Sequence, residues 1–448
     1  MTSSSQRLLR RCVAGTGALG MIAALAVSTS SAVGAVAGRT SGAKAPAIGT
    51  SPQYQVAGHV TATPGTPPTF GCQLTTPAGC YGPAQIRAAY GVDALAARGL
   101  TGAGRSIVIV DAFQSPTIRH DLATFDALFE VPDPTLDIVA PDGLTPFDPT
   151  DGNMVGWSAE ITLDVEWAHA IAPAARIVLV LAKSNQDEDI LSATRFAVEH
   201  NLGDVISQSF GEAEQCMDPT LLRQQHELFA RATRKGITLL ASSGDQGAAN
   251  TCDGVTFFKA ASTPATDPFV TAVGGTILDA NGLTGAYNGE VVWNEPDFEA
   301  AGGGGFSVIY RTPIYQALQR LPSRGVPDIS YNAAIIGGVL VVWSSSGLGQ
   351  DLVFRFGGTS AGSPQWAGLT VLANQRAHKR VGFLNPRLYL LAATPGYNAL
   401  FHDITVGDNT FHGTPEVIGF PARRGWDAAS GLGSPKADAL IPVLAALS

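Results

Sequence analysis

Ser360 lies in the run Gly357-Gly358-Thr359-Ser360-Ala361-Gly362-Ser363-Pro364, directly ahead of an apolar helical stretch, Gln365–Asn374. A serine at a helix N-terminus faces unpaired N–H groups and the positive end of the dipole, and both favour a developing oxyanion. The position equally suits a helix N-cap, so the motif alone leaves both roles open. A serine nucleophile also needs a base. The His412-Gly413-Thr414 run lies downstream of Ser360 with no helix pattern behind it, and the other histidines have no comparable context. A Ser-His-Asp triad is therefore not expected. Carboxylates offer a better partner. Glu160 and Asp164 are four residues apart in Glu160-Ile161-Thr162-Leu163-Asp164 and would share one helix face. Two close carboxylates push their pKa values apart and can share a proton, so one could take the serine proton while the other holds it in place. A solvated acidic face is the plainer alternative, but Ile161, Leu163, Val165, Trp167 and Ala168 make this helix otherwise apolar.

A third carboxylate, Asp245, stands between glycines in Ser242-Ser243-Gly244-Asp245-Gln246-Gly247, straight after an apolar strand. Protonated, it could donate a hydrogen bond to an oxyanion; ionised, it would repel one, which points to acid conditions. Asp403-Ile404-Thr405-Val406-Gly407 and Gly425-Trp426-Asp427 set two aspartates in Gly-rich loops, a pattern that suits a hard, oxygen-liganded ion such as Ca²⁺.

The elements that must position these groups alternate between strand and helix. Ser106–Asp111, Arg176–Leu181, Asp204–Ser209 and Thr238–Ser242 read as buried strands. Ile118–Leu128, Trp157–Ala172, Asp187–Asn201 and Asp218–Lys235 read as helices. Such alternation predicts an α/β fold, a mostly parallel sheet with helices on both faces. Sites in such sheets form beyond the carboxyl ends of strands, where Asp111, Ser209-Phe210-Gly211 and Asp245 all fall. The Gly302–Gly305 run lacks the Lys-Ser/Thr of a phosphate loop and reads as a flexible loop or an extended substrate-binding edge.

Charged residues make up 15% of the chain and its net charge is −9, with no basic stripe, so no nucleic-acid partner is expected. Arg7, Arg10 and Arg11 precede an apolar run, Val13–Val27, and small residues near Ala35, the order of a secretory signal peptide. That run falls short of the ~20 residues a membrane span needs. Residues 1–35 are read as the signal, with Sec or twin-arginine export, and 36–80 as a linker or short pro-segment. Of five cysteines, Cys12 leaves with the signal. Four cysteines allow three connectivities, and proximity favours Cys72 with Cys80 and Cys216 with Cys252 as disulfides.

In chain order these motifs resemble the sedolisin family of serine-carboxyl peptidases. The Glu-x-x-x-Asp helix followed by Ala172-Pro173, the Ser242–Gly247 loop and the Gly358–Pro364 turn carry the resemblance. So do the connecting stretches Tyr81–Tyr90, Thr271–Thr276, Gly302–Gln316, Arg324–Ser330 and Gly425–Pro435. The resemblance implies a subtilisin-like catalytic domain over 81–448 and a secreted, acid-active endopeptidase working through an acyl-enzyme. Carried over, Ser360 is nucleophile, Glu160 base and acid, Asp164 its support, Asp245 the oxyanion donor and Asp111 a carboxylate behind them. Ser209, Phe210 and Gly211 resemble the substrate-binding strand, with Phe210 where Trp is common. One Ca²⁺ would take the side chains of Asp403 and Asp427 and the carbonyls of Ile404, Arg423 and Gly425, with Arg423 where the family often has glycine. The family usually carries a large N-terminal prodomain, for which 36–80 is too short. A monomer acting on proteins or peptides is expected. A catalytically silent binding protein on the same scaffold is the alternative.

Overall fold

The computed structural model describes Gly49, residues 52–60 and residues 68–448; the expected signal peptide lies outside the described residues. The main sheet has eight strands. From one edge it runs Tyr287–Val292, Thr271–Ala280, Thr238–Ser242, Val205–Gln208, Ser106–Ala112, Arg176–Ala182 and Thr135–Val139, with Ile329–Asn332 also paired to Thr271–Ala280. All pairings are parallel except that of Tyr287–Val292, as the continuous Val/Ile runs predict.

Alternation along each strand sends side chains to opposite faces. Ile107, Ile109, Ile177 and Leu179 join one core with the helices Gly152–Ile171 and Gly362–Ala377. Val108, Val110, Val178 and Val180 join a second core under the helices Asp187–Glu199 and Pro219–Arg234. Each fully buried apolar side chain contributes about 1.5–3 kcal/mol.

Both expected disulfides are present, Cys72–Cys80 and Cys216–Cys252. The stretch read as linker contains more structure than its sequence suggested. Gln53–His59 is a strand that pairs antiparallel with Leu352–Gly357, in a second sheet that continues through Gly338–Val342 to Cys80–Tyr81. Tyr54 packs edge-on against Trp343 and stacks on Phe356, which gives the strand an apolar anchor. No helix among the described residues is long and apolar enough to cross a membrane.

Candidate active site

The turn that carries Ser360 is built where Leu352–Gly357 meets the Gly362–Ala377 helix. Gly358 has φ 119°, a conformation open to glycine, and a Cβ there would lie 2.7 Å from Asp245 Oδ2. The chain then makes a tight turn over Thr359–Ala361 and enters the helix, so Ser360 sits just ahead of the helix N-terminus. Ser360 is buried, and its hydroxyl donates a long hydrogen bond, 3.4 Å, to the Ser209 carbonyl.

The carboxylate helix is Gly152–Ile171, capped by Asp151, whose side chain accepts from the Asn153 and Met154 amides. It starts five residues before the expected Trp157, because that cap lies ahead of the apolar pattern. Every residue from Trp157 to Ile171 is buried, so Glu160 and Asp164 are interior and not on a solvated face. Asp111, at the carboxyl end of Ser106–Ala112, is buried beside them. Burial pushes the Asp111 carboxyl well above the carboxylate range, and the Glu160 charge adds to it. Asp164 is raised likewise, by burial first and then by Asp111 and Glu160, with the Ser209 hydrogen bond pulling the other way. That bond runs from Ser209 Oγ to Asp164 Oδ1 at 2.8 Å. Like charges this close and this buried cannot all be present, so the cluster holds protons.

Asp245 approaches from the other side of the turn. Its Oδ1 accepts from the Thr359 amide at 2.8 Å and the Thr359 hydroxyl at 2.7 Å. Its Oδ2 faces Gly358. Asp245 is only half-buried, yet its neighbours desolvate it enough to raise its pKa, against the pull of Thr359. The Gly302–Gly305 run holds this loop in place. It is buried, and the Gly303 amide donates to Gly244 O while Ser243 Oγ donates to Gly303 O. A Cβ at Gly303 would lie 2.1 Å from Ser243 O, and one at Gly304 2.0 Å from Ala428 O. Close backbone approach explains Gly303 and Gly304.

Ser209-Phe210-Gly211 follows the strand Val205–Gln208 and borders Ser360. Phe210 is buried against Trp157 at 6.0 Å, so this edge offers backbone and not the Phe210 ring. Sequence reasoning missed two features here. Ser209 is a link between Asp164 and Ser360, since its hydroxyl lies 2.8 Å from one and its carbonyl accepts from the other. Glu212, next to Gly211, is buried and raised to about 8, first by desolvation and then by Asp187, itself raised to about 6. Neither link spans a short sequence interval, so no local pattern announces it.

His412 is exposed and pairs with Glu416 at 3.0 Å. Among the described residues, no histidine is hydrogen-bonded to Ser360.

Asp403 and Asp427 converge on the 423–425 turn. Asp403 Oδ1 accepts from Tyr397 Oη at 3.1 Å and from the Gly425 amide at 3.0 Å. Asp427 Oδ2 accepts from the Arg423 amide at 2.8 Å, while its Oδ1 takes the Ala429 and Ser430 amides. No group of three or more His, Cys, Asp or Glu among the described residues forms a metal cluster. A cation here would therefore rest on two carboxylates completed by backbone carbonyls. Such an all-oxygen donor set would suit a hard ion, and Arg423 would contribute only through its backbone carbonyl.

The chain matches the family described as Subtilase family over residues 153–389, more than half its length. It is 34% identical over 358 residues to kumamolisin from Bacillus sp. (strain MN-32), covering 77% of this chain and 61% of that protein. It is 36% identical over 254 residues to sedolisin from Pseudomonas sp. (strain 101), covering 53% of this chain and 40% of that one. The chain thus spans less than two thirds of the length of these relatives. Its fold superposes on the structure of Pseudomonas sedolisin, described as a serine-carboxyl proteinase, complexed with two molecules of pseudo-iodotyrostatin. The TM-score is 0.69 at 26% identity, over 82% of this chain and 97% of that one. With its parallel sheet, its serine turn and its buried acidic cluster, the chain belongs to the subtilase family, in the sedolisin group.

Proposed function

We propose that the protein is a secreted endopeptidase active in acid, with Ser360, Glu160 and Asp164 as its triad and Asp245 as its oxyanion donor. The observation that carries this reading is a buried cluster of Asp111, Glu160 and Asp164 joined through Ser209 to Ser360. Ser360 Oγ attacks the substrate carbonyl carbon and passes its proton to the Glu160 carboxylate. Asp164 and Asp111, holding protons, keep Glu160 from facing a second full charge. The oxyanion takes a hydrogen bond from protonated Asp245, and the Thr359 contacts on Oδ1 leave Oδ2 for that task. Glu160 then protonates the leaving amine, giving an acyl-enzyme on Ser360. Water repeats the steps in reverse to release the acid. Peptide substrates would lie along the Ser209–Gly211 edge and add a strand to it.

One Ca²⁺, held by Asp403, Asp427 and the carbonyls of Ile404, Arg423 and Gly425, would supply structural stability to these loops and no chemistry. Export is supported by the 1–35 signal pattern and by two disulfides, which persist in oxidising compartments.

The test is cleavage of a peptide library across roughly pH 3–8, spanning the carboxylate and histidine ranges. Activity should peak in acid and fall in Ser360→Ala by at least about a thousandfold. Equal activity in that variant, or a peak above neutrality, would refute the mechanism.

A further inference from the structure

Gly211 closes the edge assigned to substrate and has no side chain to hold it in place. A Cβ there would lie 2.9 Å from the Thr263 carbonyl oxygen. Its neighbours Phe210 and Glu212 are both buried and do the holding. Phe210 packs on Trp157, in the core that lies under the helix Asp187–Glu199. Glu212 pairs antiparallel with Thr263, and its carboxyl hydrogen-bonds to that of Asp187, the first residue of the same helix. No N–H or hydroxyl among the described residues donates to Glu212 Oε1 or Asp187 Oδ1. What joins the two buried carboxyls is therefore a proton.

The other charges that face the pair are acidic too: Glu188 on the helix and Asp218, the cap of the helix Pro219–Arg234. Glu214, two residues past Glu212, is engaged by the Ser307 hydroxyl and the Val308 amide. The short strands beside Glu212, Ala249–Thr251 and Ser262–Thr263, have no titratable side chain. Asp187 stands at a helix N-terminus, where the dipole favours its ionised form, so the proton rests on Glu212.

We propose that Glu212 is a positioning residue for peptide binding: the proton it shares with Asp187 latches the Ser209–Gly211 edge to the helix Asp187–Glu199, and loss of that proton opens the latch. Burial and then Asp187 raise Glu212 to about 8, so the contact is kept at low pH and lost as pH rises through that value. Beyond it two buried like charges face each other. The inference rests on the peptidase reading only for what this edge binds.

Hydrogen exchange over residues 205–214, followed by mass spectrometry in the full chain carrying Ser360→Ala, reads the latch without a substrate. Protection, corrected for intrinsic rates, should fall by about tenfold between roughly pH 8 and pH 9. Adding Glu212→Gln, whose amide donates to Asp187 without titrating, should abolish that fall. The same fall in both proteins, or none in either, overturns the latch. The second arm uses the chain with Ser360 intact at roughly pH 5, and its probe is the best-cleaved peptide of the library. Glu212→Ala should raise KM by about tenfold with kcat nearly unchanged, and Glu212→Gln should restore KM. A loss confined to kcat, or Ala and Gln variants that behave alike, overturns the positioning role. If the wild type cleaves no peptide, the peptidase reading fails by itself, and the exchange arm still decides the latch.

Discussion

Two buried acidic sites in this molecule solve the same problem in opposite ways. Asp328 has the fully buried Arg324 guanidinium across both its oxygens, at 2.6 and 2.5 Å. It also accepts from the Ala272 amide and Tyr389 Oη. Burial alone would favour discharging Arg324, but Asp328 more than offsets that and holds the guanidinium pKa above its ordinary value. Asp164 is buried as deeply, with a hydrogen bond from the Ser209 hydroxyl and two carboxylates for neighbours. The first site fixes its charge with a cation. The second relieves it with a proton. Burial is common to both, and the presence of a cation decides whether the acid is a brace or a proton store.

The largest effect that would break this contrast is on turnover. Glu160→Gln should lower kcat by at least about a thousandfold, as removal of a triad member does, and leave the unfolding free energy in acid nearly unchanged. A large stability loss with modest kinetic loss would make Glu160 a structural acid like Asp328. Next, Asp328→Asn should cost about 3–5 kcal/mol by leaving Arg324 buried and unpaired. Urea unfolding reads that cost.

Asp245→Ala should lower kcat by roughly a hundredfold to a thousandfold with little change in KM, as loss of one oxyanion donor does. Asp245→Asn donates without needing a proton, so it should retain more activity and extend it to higher pH. Identical profiles for the two variants would remove Asp245 from the oxyanion site. The smallest effect concerns the 403–427 loops, where chelating Ca²⁺ should lower Tm by on the order of 5 °C. An unchanged Tm would argue against the metal.

How much of this was legible in the sequence depends on how far apart the partners are. Ser106–Ala112, Arg176–Ala182 and Thr238–Ser242 read as strands because buried parallel strands are continuous apolar runs. Glu160 and Asp164 were legible because a four-residue spacing on an apolar helix is local information. Gln53–His59 was not, since its partner strand lies about 300 residues away and fixes it through Tyr54 packing and backbone pairing. The Asp245–Thr359 contact crosses 114 residues, and the Ser209–Asp164 bond crosses 45. Arg324 and Asp328 are four apart and visible as a pair, but only the fold reveals that both are buried.

The central claim is that the acids around Ser360 keep protons when folded that they lose when unfolded. An unfolded aspartate titrates near 3.9, and Asp164 is raised well above that by burial, Asp111 and Glu160. Between those two values the native state binds more protons than the unfolded one, so stability must fall as pH rises. The most direct measurement is the unfolding free energy of the wild type and Asp164→Asn across roughly pH 4–8. The wild type should lose stability with a slope steeper than the variant's by up to about 1.4 kcal/mol per pH unit, so that the variant gains on it toward neutrality. Parallel curves, or a wild type that becomes more stable as pH rises, would mean that Asp164 is already ionised in the fold and would contradict the account.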